Sequence, residues 1–322
     1  MFTRPFVWLF PGQGAQYQGM ALDFWEQAQE VRQLFELASD STGQDMYALL
    51  LNGDRETLKR SDISQPAITL ANLSAAAYLA KQGFQAAGVA GFSLGEYAAL
   101  VIAGVISAEN CFRLVRARGK AMQESADRLG RGATAPGMAA VIGLTPEQVA
   151  SLIAVWKAQG VSGLYAANIN SPRQTVVAGT SEALAMAISR FKDAGAKRVI
   201  PLAVAGPFHS PLIADAAERF RPVLESVAFM DPLIPCYSNV SGTVLSTGAE
   251  AKQRALEQIT KPVRWLDEER AIAAQTGIAG VLETGPGQVL TGLWKEAGNP
   301  LPCMSAGTVA AIEEVLRTLT CV

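Results

Sequence analysis

Two short, continuously apolar runs, each ending in a glycine-bearing turn, constrain this chain most. Phe6–Phe10 stops at Pro11-Gly12-Gln13-Gly14, and residues 89–92 stop at Ser93-Leu94-Gly95 and pass straight into a helical pattern. Strands buried on both faces need such unbroken apolar runs, and strands of that kind belong to parallel sheets covered by helices. The chain therefore reads as α/β. Helical patterns over residues 23–39, from Gln65-Pro66 to Lys81, over 96–103 and from Ala108 to about Ser125 supply the covering layers.

The grammar changes after residues 129–137 (LGRGATAPG), a glycine-rich connection read as flexible. Strand 138–142, helix 146–159, strands 164–169 and 175–178, helix 181–194 and strand 198–204 follow. That order is βαββαβ, the ferredoxin-like arrangement. The expected division is a discontinuous large α/β domain, residues 1–132 and 205–322, with a small subdomain over 133–204 inserted in it. The large domain resumes with a helix from Pro211, a strand at 234–238 and helices at 249–259 and 265–275. A strand at 280–283, the turn Gly285-Pro286-Gly287, a helix at 289–295, a strand at 301–305 and a closing helix complete it.

Bulk properties narrow the function classes. Apolar residues make up 49% and charged residues 17% of 322, so a folded core is expected, and the net charge of −2 provides no field to draw nucleic acid or an acidic membrane. The longest apolar stretch, 98–106, is too short to span a bilayer, and the apolar start lacks a cleavage site, so it reads as a strand rather than a signal peptide. The cysteines Cys111, Cys236, Cys303 and Cys321 have no paired spacing, and there is one histidine. No metal site is expected, and reduced thiols in the cytoplasm are.

That histidine, His209, lies in the loop Gly206-Pro207-Phe208-His209-Ser210-Pro211, far downstream of Gly91-Phe92-Ser93-Leu94-Gly95. G-x-S-x-G turns up by chance roughly once in seven chains of this length, so the context matters more than the pattern. A strand enters and a helix leaves, which puts Ser93 on a tight turn with helix N–H groups behind it. An ordinary helix-capping serine fits the same place. A nucleophilic serine needs a base to take its proton, and imidazole suits that task. His209 is the one candidate, although a satisfied core or surface histidine would read the same way. Glu96, in the first helical turn, is explained as a complement to the helix dipole.

At ~100° per residue, Arg113, Arg116 and Lys120 form one stripe of the helix beginning at Ala108, a solvated face or a dock for an acidic partner. Arg118 points elsewhere, among Cys111, Leu114, Val115, Ala121 and Met122. Burying a guanidinium there requires a partner. A carboxylate of the protein, a route to the rim, or a substrate carboxylate gripped bidentately would each serve. Residues 10–16 (FPGQGAQ) meet neither nucleotide-loop pattern, and their glycines suit a backbone donor near a reacting centre.

Together with RARGKAMQE (116–124), NINSPRQTVVAG (168–179), GPFHSPL (206–212), QITKPVRW (258–265) and ETGPGQVLTG (283–292), these segments make the chain resemble the malonyl-CoA:acyl-carrier-protein transacylase and polyketide-synthase acyltransferase family over nearly its whole length. The resemblance implies an α/β-hydrolase-like parallel-sheet large domain with an inserted ferredoxin-like subdomain. It implies malonyl transfer from malonyl-CoA to the phosphopantetheine thiol of an acyl carrier protein, through a malonyl-serine and without a cofactor. It also implies roles: Ser93 as nucleophile, His209 as base and acid, Arg118 for the malonyl carboxylate. The backbone N–H groups of Gln13 and Leu94 would form the oxyanion hole, Gln258 would orient His209 by its carbonyl, and Phe208 would disfavour an α-methyl group. A monomer is expected. Two departures stand out, Phe92 where the family often has His before the serine, and Lys261 where it often has Asn. Rival readings are a serine hydrolase or thioesterase with Asp193 as triad acid, a silent carrier-docking module, and the same chemistry serving a trans-acting polyketide or malonate decarboxylase system.

Overall fold

A computed structural model describes residues 5–130 and 135–320. Four residues of the expected 129–137 connection, the proposed boundary at 132/133, and Cys321 lie outside that range. Two separate sheets organise the chain. Strands β1 (Phe6–Phe10), β2 (Ala86–Gly91), β7 (Gly280–Glu283) and β8 (Cys303–Ser305) form a parallel sheet in the order β2-β1-β7-β8. Strands β3 (Gly137–Ile142), β4 (Leu164–Ser171), β5 (Gln174–Gly179) and β6 (Arg198–Pro201) form an antiparallel sheet in the order β4-β5-β3-β6. That order, with helices Pro146–Ala158 and Ser181–Asp193 as crossovers, is ferredoxin-like.

β1, at the heart of the parallel sheet, is buried at all five positions, as its unbroken apolar run requires. Phe6, Trp8 and Phe10 face the larger core, with helices Ser61–Lys81 and Ala108–Arg128, while Val7 and Leu9 face a second cluster containing Trp265 and Trp294. The small sheet keeps its own core around Val141, Trp156 and Phe191. The irregular part of β4 bonds to the loop before Trp265: Ile169 N–H donates to the Val263 carbonyl at 2.8 Å, and Val263 N–H to the Ala167 carbonyl at 2.9 Å. This seam holds the segment after Gln258 against the small sheet.

Several boundaries differ from expectation. The 23–39 helix is broken at Ala28, whose extended backbone (φ −142°, ψ 126°) separates Leu22–Gln27 from Gln29–Thr42. The helix expected after Pro66 begins five residues earlier, at Ser61, and carries Pro66 inside it. Helices Met46–Asn52 and Arg55–Lys59, capped by Asp45 and Asp54, were not anticipated. The expected strand at 234–238 makes only single bridges, from Cys236 to Val89 and from Tyr237 to Val244, so it lies along β2 without forming a ladder.

Candidate active site

Ser93 sits two residues past the end of β2 and two before the start of helix Gly95–Ile102, with φ +52°. Left-handed backbone is unfavourable for a side-chain-bearing residue by ~1–3 kcal/mol and persists only where its surroundings enforce it. Its neighbours enforce it by proximity. A Cβ on Gly91 would lie 2.0 Å from the Gly95 carbonyl carbon, and one on Gly95 2.0 Å from the Phe10 oxygen. Among the described residues only Ala21, Ser93 and His209 share positive φ without being glycine. Two of those three face each other.

Ser93 Oγ lies 2.8 Å from His209 Nε2, and His209 Nδ1 lies 2.7 Å from the Gln258 carbonyl oxygen. A carbonyl can only accept, so Nδ1 carries the proton and Nε2 keeps a lone pair for the serine hydroxyl. Burial, reinforced by the nearby Arg118 charge, pulls His209 down to about 4, so the ring is neutral at physiological pH. The loop is held in place by His209 N–H donating to the Ile259 carbonyl at 3.1 Å and Ser210 Oγ donating to the Pro207 carbonyl at 2.6 Å. Asp193 stands exposed at the end of its helix, and Gln258 takes the position a triad acid would need; the Asp193 assignment is therefore corrected.

Arg118 is completely buried. Nη1 donates to Gln65 Oε1 at 2.9 Å, and Nη2 to Gln258 Oε1 at 2.9 Å and to Ser93 Oγ at 3.4 Å. Its guanidinium lies over the Tyr97 ring, 5.5 Å from the centroid, and its Nε has no hydrogen-bond partner among the described residues. None of the described ion pairs involves it. Of the three readings the sequence left open, neither the internal carboxylate nor the rim applies. The separate stripe of Arg113, Arg116 and Lys120 lies on the solvated side, Arg113 donating to Asn110 and Arg116 to the Ser41 carbonyl, with Lys120 3.9 Å from Glu124.

The Pro11–Gly14 turn crosses directly over the elbow. A Cβ on Gly12 would lie 2.3 Å from the Phe92 oxygen and 3.6 Å from Leu94 N. The Gln13 side chain anchors this turn, donating to Ser61 Oγ at 3.2 Å and Ser64 Oγ at 3.0 Å and accepting from Gln65 Nε2 at 3.1 Å. The backbone N–H groups of Gln13 and Leu94 have no hydrogen-bond partner among the described residues. Above them opens a cleft of about 410 Å³ between the sheets, lined by Gln13, Phe92, Ser93, Phe208 and His209 below and by Asn168 from the small sheet. Phe208 is nearly buried beside the base. Phe92 packs edge-on against Trp265, ring centroids 5.5 Å apart, and Lys261 is exposed.

Three participants escaped the sequence reading. Gln65 clasps Arg118. Asn239 accepts the Ser93 N–H at 2.7 Å and donates to the Gly91 carbonyl at 2.7 Å. Glu96 is no surface complement to a helix dipole: it is 2% exposed and accepts from Gln258 Nε2. A carboxylate in an otherwise apolar helical turn was the available signal for Glu96. Gln65 and Asn239 carried none, because each meets its partner only across the fold.

A neutral imidazole on a strained serine, with free backbone donors beside it, defines an enzyme that passes an acyl group through a serine ester. Residues 7–312 match the acyl transferase domain family. The chain is 38% identical over 313 residues to the malonyl CoA-acyl carrier protein transacylase of Escherichia coli K12, covering 97% of this chain and 99% of that protein. A crystal structure of an acyl carrier protein S-malonyltransferase from Vibrio cholerae superposes with TM-score 0.89 at 37% identity, covering 96% and 99% of the two chains. A malonyl-transacylase seen in complex with its type II polyketide-synthase acyl-carrier protein matches equally well, TM-score 0.89 at 37% identity over 98% and 99%. The chain belongs to the acyl transferase family, among its malonyl CoA-acyl carrier protein transacylases.

Proposed function

We propose that this protein moves a malonyl group from malonyl-CoA to the phosphopantetheine thiol of an acyl carrier protein by a ping-pong route through malonyl-Ser93. The observation that carries the reading is Arg118, a buried cation 3.4 Å from Ser93 Oγ with no carboxylate among the described residues in an ion pair with it. An acyl group esterified to that oxygen brings its own carboxylate within reach of the fork, and a guanidinium binds a carboxylate bidentately.

His209 Nε2 takes the Ser93 proton as Oγ attacks the thioester carbon. The tetrahedral oxyanion is met by the N–H groups of Gln13 and Leu94, and its collapse breaks the C–S bond. The CoA thiolate leaves with the proton from Nε2. The carrier thiol then gives its proton to Nε2, attacks the ester, and Ser93 recovers the proton as it leaves. Gln258's carbonyl holds the imidazole in the required tautomer and favours the imidazolium formed midway. One thioester replaces another, so no energy source is needed.

Residues 1–132 with 205–322 carry this chemistry, and 133–204 roof the cleft; the separate small sheet supports that division. Among the described residues no helix is long and apolar enough to cross a membrane. We assign the protein to the cytoplasm as a monomer. Its partner is a carrier protein of fatty-acid or polyketide assembly.

Intact-mass measurement after exposure to malonyl-, methylmalonyl- and acetyl-CoA tests the first half-reaction. A malonyl adduct that disappears in Ser93→Ala is expected; a folded protein with no adduct would instead be a silent docking module. Adding holo carrier protein to the loaded enzyme tests the second half. Label passing to water rather than to carrier would make it a thioesterase.

A further inference from the structure

Behind the serine and histidine, away from the cleft, lies a carboxyl group that none of these steps uses. Glu96 Oε2 accepts from Gln258 Nε2 at 2.5 Å and from the Asn239 backbone N–H at 3.3 Å. The same Gln258 Nε2 faces two further acceptors, the Ser93 carbonyl at 3.0 Å and Asn239 Oδ1 at 3.2 Å. A side-chain amide has one accepting and one donating end, and an end ringed by acceptors must be the NH2. Its oxygen is thereby turned toward Arg118 Nη2 at 2.9 Å. Flipped, the amide would set N–H against the guanidinium and oxygen against the carboxylate.

Asn239 is locked in the same way. Its Nδ2 donates to the Gly91 carbonyl and to Glu268 Oε1, the latter at 2.8 Å. Glu268 is fully buried with Oε2 unpartnered among the described residues, and burial followed by the Glu96 charge drives its pKa well above the carboxylate range. Glu268 is therefore the more readily protonated member of the pair. Burial pushes Glu96 up to about 7, opposed by the Gln258 and Asn239 hydrogen bonds and the Arg118 charge. Of the three acceptors around Nε2, only Glu96 can bring a charge to it.

We infer that Glu96 is a positioning residue for the transfer reaction: through the side-chain amide of Gln258 it aims the Arg118 fork at the substrate carboxylate. The inference rests on the malonyl reading above and deepens it. It separates two duties of Gln258. The backbone carbonyl serves His209 and is placed by the Gln258 N–H bond to the Arg254 carbonyl at 2.9 Å, whereas the side chain serves Arg118 and is placed by Glu96.

The test compares malonyl-CoA with acetyl-CoA, which has no carboxylate, in Glu96→Met and Glu96→Gln. Methionine fills the space without an acceptor oxygen, while glutamine keeps one. Glu96→Met is expected to lower malonyl kcat/KM about 10- to 100-fold, mostly through KM, because a grip made equally in ground and transition states appears there. Acetyl transfer should fall less than about threefold, and Glu96→Gln should return malonyl transfer to within about threefold of the parent, on the same separation of binding from chemistry. Equal losses for both substrates, no loss in Glu96→Met, or Glu96→Gln as poor as Glu96→Met would each overturn the inference. Should Glu96→Met not fold, Gln258→Met removes the same amide and keeps the carbonyl. It must show the same malonyl-selective loss, and an equal loss refutes the assignment. Failure of the parent protein to load malonyl at all would sink both readings, and it is seen before any variant is made.

Discussion

Replacing Arg118 with methionine separates recognition of the acyl chain from the chemistry at its carbonyl. Methionine keeps much of the volume in a completely buried site and removes the charge. Truncating one partner of a buried, hydrogen-bonded charge pair costs ~2–5 kcal/mol, which at about 1.4 kcal/mol per tenfold is roughly a 30- to several-thousand-fold loss in malonyl kcat/KM. Acetyl transfer loses no such pair. It should fall by less than about tenfold, the share attributable to the 3.4 Å contact with Ser93 Oγ and to repacking. A second consequence comes from His209, which burial first and the Arg118 charge second hold down at about 4. Removing the charge raises that value, and burial keeps it below the ordinary 6.5. The base must be neutral, so activity is present above its pKa and lost as pH falls through it. The acid limb of the acetyl profile should therefore move upward from near 4 in the variant. The assay is steady-state transfer to carrier protein from both CoA esters over pH 4–8, with thermal melts to confirm folding. Equal losses for both substrates at pH 8 would show Arg118 to be structural. An unmoved acid limb would show that its charge does not reach the imidazole.

Phe208→Ala opens space beside the base; one methyl group is worth ~1–3 kcal/mol of discrimination, so the methylmalonyl-to-malonyl loading ratio should rise about tenfold. An unchanged ratio in intact-mass loading would remove Phe208 from selectivity. Glu269, which accepts from Trp265 Nε1 at 2.7 Å, is pushed by burial up to about 8 from an ordinary 4.5. A raised folded pKa means a stabilising contribution that is complete below about 4.5 and lost as pH rises through 8. Urea midpoints should therefore decline from pH 5 to 9, less steeply in Glu269→Gln; identical slopes would refute the assignment.

Much of the fold was legible because it rests on local grammar. β1 and β2 announced themselves as apolar runs ending in glycine turns, and the βαββαβ order appeared strand by strand. The misreadings have local causes as well. Pro66 looked like a helix start because proline usually is one, but here packing against helix Ala108–Arg128 carries the helix back to Ser61. Residues 234–238 have strand composition and lie along β2, where they form only a single bridge to it.

What the chain by itself determined is the cast of reacting atoms. One histidine leaves one imidazole base, Gly91 and Gly95 permit a turn no other residue could make, and a charged side chain on an apolar helical face demanded a partner. Only the tertiary structure decided how those atoms are held. Gln65 and Asn239 carry no periodic or motif signal, and the motif around Gln258 and the apolar turn around Glu96 do not show what their side chains hold, because an amide or a buried acid takes its role from whatever lies across from it. Here that is a residue between 19 and 165 positions away along the chain, brought within hydrogen-bond reach by the packing of helices on the parallel sheet.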